Sequence, residues 1–211
     1  MRVLIVYGTS EGQTRKIAGA MATALTRLGH EAHGIDVADG TAASRLAGVG
    51  AVIVAASIHI GRYQRAVIRF VREHREPIAA RPNLFVSVSL AAAGTDPTDR
   101  AGIAACAAKF GVETGWRPDE IVHVAGAFRF SRYGFFKRLL MRRIARRKRV
   151  AIDPHGDTEL TDWAALRQAT EAFAARAAAA TRRAAGPGLP AAAPAAGATA
   201  TGGAASGPEA A

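Results

Sequence analysis

The sequence predicts an α/β fold: a doubly wound, five-stranded parallel sheet of order 2-1-3-4-5, with a basic helical insertion before its last helix. Two observations predict it. Short apolar, β-branched runs alternate with stretches of helical spacing along residues 2–125. The strongest of these runs are continuously apolar rather than alternating, as strands buried on both faces are. Five βα units suit the order 2-1-3-4-5, whose ligand lies outside the carboxyl ends of the strands, at the switch point between strands one and three.

Each element has its own signal. Arg2–Tyr7 (RVLIVY) reads as the first strand. Gly12–Leu28 follows as a helix, with Ile17, Met21, Ala24, Leu25 and Leu28 on one side and Gly29 closing it. Glu31–Val37 is a weaker second strand, and Gly50–Ser57 (GAVIVAAS) a strong third one. Tyr63–His74 has helical spacing, with Val67, Phe70 and Val71 inward. Leu84–Leu90 (LFVSVSL) is the fourth strand, Asp96–Phe110 a helix, and Glu120–Ala125 (EIVHVA) the fifth strand. Thr161–Arg183 is the last helix, with Trp163, Leu166, Ala169 and Phe173 as its apolar face.

Residues 1–183 are thus expected to form one domain, interrupted by an insertion at 129–157. From Ala184 to Ala211 the chain is almost all Ala, Gly and Pro, and Leu189 is its only large apolar residue. Such a tail cannot bury enough area to offset its ordering entropy and is expected to be disordered. The single cysteine, Cys106, excludes a disulfide framework, a CxxC pair and a cysteine-rich metal site. Its Ala-rich helical neighbourhood places it in the core. No leader pattern precedes the first strand, and no apolar run of bilayer length lies outside the tail. The expected setting is cytoplasmic.

The net charge is +11, and it is not spread evenly. Residues 129–149 carry ten Lys/Arg and no Asp/Glu, whereas residues 1–128 carry 14 and 11. One dense block of this kind suggests a docking surface rather than a generally basic protein.

After the first strand, Gly8-Thr9-Ser10-Glu11-Gly12-Gln13-Thr14 runs straight into a helix. A loop there aims backbone N–H groups, a positive helix terminus and the hydroxyls of Thr9, Ser10 and Thr14 at one spot. It lacks the lysine of GxxxxGK[ST] and the spacing of GxGxxG, which argues against a nucleoside triphosphate and a dinucleotide. A monophosphate held by neutral hydrogen bonds suits it better; the competing reading is an ordinary Ser/Thr-capped turn.

Thr9-Ser10-Glu11-Gly12-Gln13-Thr14 after an apolar strand resembles the FMN-phosphate loop of flavodoxins. Further stretches narrow the resemblance: Ala56-Ser57-Ile58-His59-Ile60-Gly61-Arg62-Tyr63, Trp116-Arg117-Pro118-Asp119, Ala125-Gly126-Ala127-Phe128-Arg129-Phe130-Ser131-Arg132-Tyr133 and Thr161-Asp162-Trp163. They fall in the same order as in the menaquinone-dependent protoporphyrinogen IX dehydrogenases. The similarity covers roughly residues 1–173, insertion included. It implies a flavodoxin-like fold, FMN as cofactor, a tetrapyrrole substrate, and a quinone acceptor such as menaquinone. It places the FMN phosphate on Thr9, Ser10, Glu11, Gly12, Gln13 and Thr14. It places the flavin ring between Ser57, Ile58, His59 and Gly61 on one side and Ser87, Val88, Ser89 and Leu90 on the other. The chain departs from the family where Ile60 and Leu160 stand for a frequent Tyr, where Ser89 stands for Asn, and in the small, slightly acidic loop Ala91–Asp99.

Gly134–Arg149 (GFFKRLLMRRIARRKR) has helical periodicity. Phe135, Phe136, Leu139, Leu140 and Ile144 share a face, and Lys137, Arg138, Arg142, Arg143, Arg146, Arg147 and Arg149 fill most of the rest. That is the pattern of a helix lying in a membrane interface, cations toward anionic headgroups. Each basic residue near such a surface contributes about 1 kcal/mol. The expected state is peripheral attachment to the cytoplasmic face of the cell membrane. A face packed on the domain is the rival. Nucleic acid is not expected, because no groove-reading motif or stacking platform accompanies the block.

Arg62, Arg65, Arg69 and Arg72 recur at helical spacing and read as a solvated face paired with Glu73 and Glu76. Arg62 alone, beside the ring loop, could reach an anionic substrate, as could Arg129 and Arg132, which suit the propionates of a porphyrinogen. His30 and His33 sit on a strand where i and i+3 face opposite ways, so no metal pair is expected. His123 reads as a core group within a buried strand. His59, in the ring loop, could move protons. The residues offer no nucleophile triad or carboxylate pair and no identifiable catalytic acid or base, so the chemistry would belong to the cofactor. Two alternatives stand beside the dehydrogenase: a flavodoxin-type electron carrier, for which a net charge of +11 has the wrong sign, and a membrane-associated quinone reductase with another substrate.

Overall fold

A computed structural model describes residues 1–128 and 157–184. The order of elements is β1 (Arg2–Gly8), α1 (Gln13–Arg27), β2 (Glu31–Asp36), β3 (Ala51–Ser57), α2 (Arg65–Glu73), α3 (Arg75–Ala79), β4 (Asn83–Ser89), α4 (Pro97–Thr114), β5 (Ile121–Ala125), β6 (Ala127–Phe128), β7 (Thr158–Glu159) and α5 (Trp163–Ala184). Strands β1–β5 form a parallel sheet of order β2-β1-β3-β4-β5, as the sequence predicts. Strands β6 and β7 form a separate antiparallel pair, Ala127 opposite Glu159 and Phe128 opposite Thr158.

The period-2 geometry of the strands splits the apolar residues between two layers. Val3, Ile5, Ile53, Val86 and Val88 face α1 and α5, meeting Ile17, Met21, Leu25, Leu166 and Phe173. Leu4, Val6, Val52, Val54 and Phe85 face the opposite layer, meeting Val67, Phe70, Val71, Phe110 and Trp116. Phe85 stacks on Phe110 with centroids 4.6 Å apart, and Tyr63 meets both rings edge-on at 5.1 and 5.0 Å. Each such pair contributes roughly 0.5–1.5 kcal/mol beyond its burial.

The structure corrects several expectations. Leu28 is exposed because it is the C-cap of α1, already out of helical register. Trp163 is the first residue of α5 and stands 36% exposed; the buried stripe is Leu166, Thr170, Phe173, Ala174 and Ala177. The predicted helix over 63–74 starts at Arg65 and breaks at His74, after which α3 begins. The predicted helix over 96–110 extends to Thr114, where left-handed Gly115 stops it. His123 is exposed rather than in the core, because β5 is an edge strand with cover on fewer sides. Cys106 is half-buried, its thiol 3.5 Å from the Gly61 carbonyl. The basic insertion, its docking residues Phe135, Phe136, Arg138, Leu139, Arg142, Arg143, Arg146 and Arg147, and the tail lie outside the described residues apart from Asp157 and Ala184.

Candidate functional site

The site is built where β1 and β3 end, at the switch point of the sheet. β1 stops at Gly8, and the chain needs glycine there: a Cβ would sit 2.4 Å from Val67 Cγ2. The loop then turns through Gly12, whose φ of +91° is a left-handed value that favours glycine. Thr9 Oγ1 accepts the Gly12 N–H at 2.9 Å, which fixes the turn from inside. α1 begins at Gln13 with no side-chain cap and no acid in its first turn. An uncapped helix start with a positive end, close in sequence to the hydroxyls of Thr9 and Ser10, can cradle an anion. The donor set is neutral apart from the helix terminus, which fits a monophosphate such as that of FMN.

Gln13 and Thr14 are placed differently from the sequence expectation for side-chain ligands. Both are buried. The Gln13 amide donates to Thr161 Oγ1 at 2.9 Å, and Thr161 donates to the Ala125 carbonyl at 2.7 Å. Gln13 therefore ties the first turn of α1 to the strand end that leads into the insertion. Lys16 reinforces this through Glu159 at 2.6 Å, and Leu160 N–H donates to the Gly126 carbonyl at 3.0 Å. The residues flanking the insertion on both sides are thus anchored beside the phosphate loop.

The ring loop leaves β3 at Ser57. His59 and Arg62 pair antiparallel, His59 N–H to the Arg62 carbonyl at 2.8 Å and Arg62 N–H to the His59 carbonyl at 3.1 Å. Between them Ile60 (φ 48°) and Gly61 (φ 71°) are both left-handed, the requirement of a type I′ turn. Ile60 is β-branched, so holding it there costs about 1–2 kcal/mol, and its side chain is fully exposed. The tip of this loop is therefore a strained, solvent-facing apolar group. Ser57 Oγ lies 3.3 Å from His59 Nε2.

The loop is rooted by Tyr63, whose hydroxyl lies 2.8 Å from Ser87 Oγ. Burial pushes the Tyr63 phenol up to about 12. Ser87 and Val88 are themselves buried in the core, Ser87 under Tyr63 and Val88 against the α1/α5 layer. Of the four positions expected at the ring, only Ser89 and Leu90 stand at the end of β4; Ser89 is itself buried, and its Oγ accepts the Ala92 N–H at 3.2 Å. Arg62 reaches Glu113 at 3.2 Å. It heads an open groove that Arg65, Arg69 and Arg72 also line, with Glu113 as the acid on its wall. The pairs expected with Glu73 and Glu76 are not those that form: Glu76 pairs with Arg75 at 3.0 Å. Arg129 and Arg132 lie outside the described residues.

Sequence reasoning missed Gln64, and named Thr161 only within the stretch Thr161-Asp162-Trp163 and at the start of the last helix, without a bonding role. Gln64 Nε2 lies 2.5 Å from Ser57 Oγ and 3.5 Å from Ser10 Oγ, bridging the ring loop and the phosphate loop.

Comparison with known proteins agrees with this geometry. A family model described as a flavodoxin domain matches residues 4–153. The chain is 33% identical over 166 residues to the protoporphyrinogen IX dehydrogenase (quinone) of Escherichia coli strain K12, covering 77% of this chain and 89% of that one. It is 32% identical over 177 residues to the protein of that name from Leishmania major, covering 82% and 75% respectively. Among solved structures, the rubredoxin oxygen:oxidoreductase of Desulfovibrio gigas aligns with a TM-score of 0.51 at 15% identity, over 84% of this chain and 36% of that one, a likeness of fold alone. The phosphate cradle at the switch point, the flavodoxin-domain match and the length of the two alignments lead to one assignment: the chain belongs to the flavodoxin-domain family and, within it, to the quinone-dependent protoporphyrinogen IX dehydrogenases.

Proposed function

We propose that this protein oxidises protoporphyrinogen IX to protoporphyrin IX with FMN as its cofactor and a quinone, menaquinone in particular, as electron acceptor. The observation that carries the reading is the uncapped start of α1 beneath Thr9, Ser10 and Gly12, beside the ring loop, in a chain of this family. When bound, FMN supplies two-electron transfer between donor and acceptor. The chain's own residues supply position. The phosphate is held by Ser10 and by N–H groups of the loop and first turn. The loop from Ser57 to Gly61 borders the ring, and Ser89 and Leu90 border it from the next strand. His59, within reach of Ser57 Oγ, is placed to hold or move a proton at its Nε2. Arg62 can exchange Glu113 for a substrate propionate, a swap between two carboxylates that costs little at an exposed site. Arg129 and Arg132 serve the same propionates.

The residues 129–149 dock the protein on an anionic membrane, where both quinone and tetrapyrrole concentrate. Two facts support this: the +10 of that segment, and the anchoring of its flanks beside the site through Gln13–Thr161 and Lys16–Glu159. Among the described residues no helix is long and apolar enough to cross a membrane, so attachment would be peripheral. Anaerobic oxidation of protoporphyrinogen IX by the FMN-loaded protein, with added menaquinone and porphyrin fluorescence as readout, tests the reading. Quinone-dependent gain of fluorescence is the expected result. Quinone reduction without porphyrin formation would move the chain to a reductase with another substrate.

A further inference from the structure

Gln64 belongs to no motif, and its place in the fold is unusual. It occupies the N-cap position of α2 with extended backbone (φ −61°, ψ 135°), yet its side chain makes no cap bond to that helix. The amide is turned back toward the sheet edge instead. Oε1 accepts the Ser57 N–H at 3.3 Å, and Nε2 donates to Ser57 Oγ at 2.5 Å and reaches Ser10 Oγ at 3.5 Å. One carboxamide has two N–H donors and one carbonyl acceptor. Here all three are directed at two loops: the loop that cradles an anion and the loop that borders the ring.

Ser57 Oγ, which accepts from Gln64, also lies in hydrogen-bond contact with His59 Nε2 at 3.3 Å. The chain of bonds therefore runs Ser10–Gln64–Ser57–His59 and reaches the strained hairpin that carries Ile60. Such chains are cooperative. When the Ser10 hydroxyl donates to an anion, its oxygen becomes a better acceptor for Gln64, and Gln64 is drawn more firmly into its place on Ser57. The sign of the effect follows: an occupied phosphate loop stabilises the ring loop.

We propose that Gln64 is a positioning residue that couples the two halves of the flavin site, so that an anion in the loop Thr9–Gly12 raises the affinity of the ring loop for the isoalloxazine. This rests on the FMN reading above. Riboflavin, which lacks the phosphate, and inorganic phosphate separate the halves. The experiment is titration of the full-length apoprotein with riboflavin, without and with saturating inorganic phosphate, and with FMN, followed by flavin fluorescence.

In the unaltered protein phosphate should raise riboflavin affinity about tenfold, within the usual range of coupling between sites. In Gln64→Leu the factor should fall below about twofold. Gln64→Glu keeps the shape and the acceptor for Ser57 N–H but loses both donors, and should lose the coupling too. Ser57→Ala breaks the same link from the other side, and combined with Gln64→Leu it should cost no further coupling. An undiminished factor in the folded Gln64 variants overturns the proposal, as does a factor of one in the unaltered protein. Failure of FMN and riboflavin alike to bind overturns the FMN reading and the proposal with it, whereas FMN binding without coupling overturns the proposal alone.

Discussion

Four helices start at the carboxyl edge of the parallel sheet, and they start in two ways. α4 begins under Asp96, whose carboxylate accepts the Thr98 N–H at 2.8 Å, with Pro97 at its first position. α5 begins under Asp162, which accepts from Ala164 and Ala165 at 3.0 and 2.9 Å. α1 and α2, following the two strands that flank the switch point, have no side-chain cap: Gly12 has no side chain to offer, and Gln64 turns its side chain away. A capped start is a closed account of backbone donors, worth about 1 kcal/mol to the protein itself. An uncapped start leaves positive potential for something else. The edge is thus divided into a half whose helix starts are capped and a half whose starts are open, and the division falls where the topology puts the crevice.

The sharpest way to break this contrast is to put a carboxylate where the anion should go. Ser10→Asp places a negative charge in the α1 cradle without disturbing left-handed Gly12. FMN affinity should fall by about 100-fold or more, near 3 kcal/mol, while riboflavin affinity should not fall. Fluorescence titration with both flavins reads the difference. An equal fall for both would mean that the α1 start is not the phosphate site.

A second prediction concerns the root of the ring loop. Burial raises the Tyr63 phenol to about 12, opposed by its bond to Ser87. Unfolded tyrosine loses its proton near pH 10, so between pH 10 and 12 the unfolded chain binds fewer protons than the folded one. Stability is then fully present below pH 10 and falls by about 2–3 kcal/mol as pH rises to 12. Urea unfolding across that window should show the fall, and Tyr63→Phe should lack this component of it.

The contrast also runs the other way. Asp162→Ala should lower stability by about 1 kcal/mol in urea unfolding and leave FMN affinity intact, because that cap serves the helix and not a ligand. A loss of FMN affinity larger than the loss of stability would show that the two halves of the edge are not separate.

What the sequence made legible divides along similar lines. β1, β3 and β4 were readable because a strand buried on both faces must be apolar throughout, and the turn from β1 into α1 because strand, loop and helix follow one another locally. The exposure of His123 was available from the strand order, which puts β5 at the edge, although its own flanking valines suggest a core. The commitment of Gln13 to Thr161 was not legible, since its partner is 148 residues away. Nor was the burial of Ser87, which depends on Tyr63 reaching across from the loop that follows β3. Pattern reports periodicity within an element; it does not report which side chain from another element takes a given hydrogen bond.

The smallest expected effect tests the arginine face that borders the ligand half. The sequence spacing predicts compensation by Glu73 and Glu76. Among the described residues, Arg62 pairs with Glu113 and Arg75 with Glu76, while no ion pair is formed by Arg65, Arg69 or Arg72. Arg65 and Arg69 are like charges at i,i+4, and Arg69 and Arg72 at i,i+3. Each such pair destabilises a helix by roughly 0.2–0.5 kcal/mol. Arg69→Glu turns both repulsions into attractions on the same exposed face. It should therefore raise the unfolding midpoint slightly at low salt, and the gain should shrink at high ionic strength as the Debye length falls. Arg62→Gln, by contrast, removes one half of a formed pair and should give no gain. If Arg69→Glu destabilises at low salt, the face is stabilised as it stands by a partner charge, and the boundary between the two halves of the edge has to be drawn to include it.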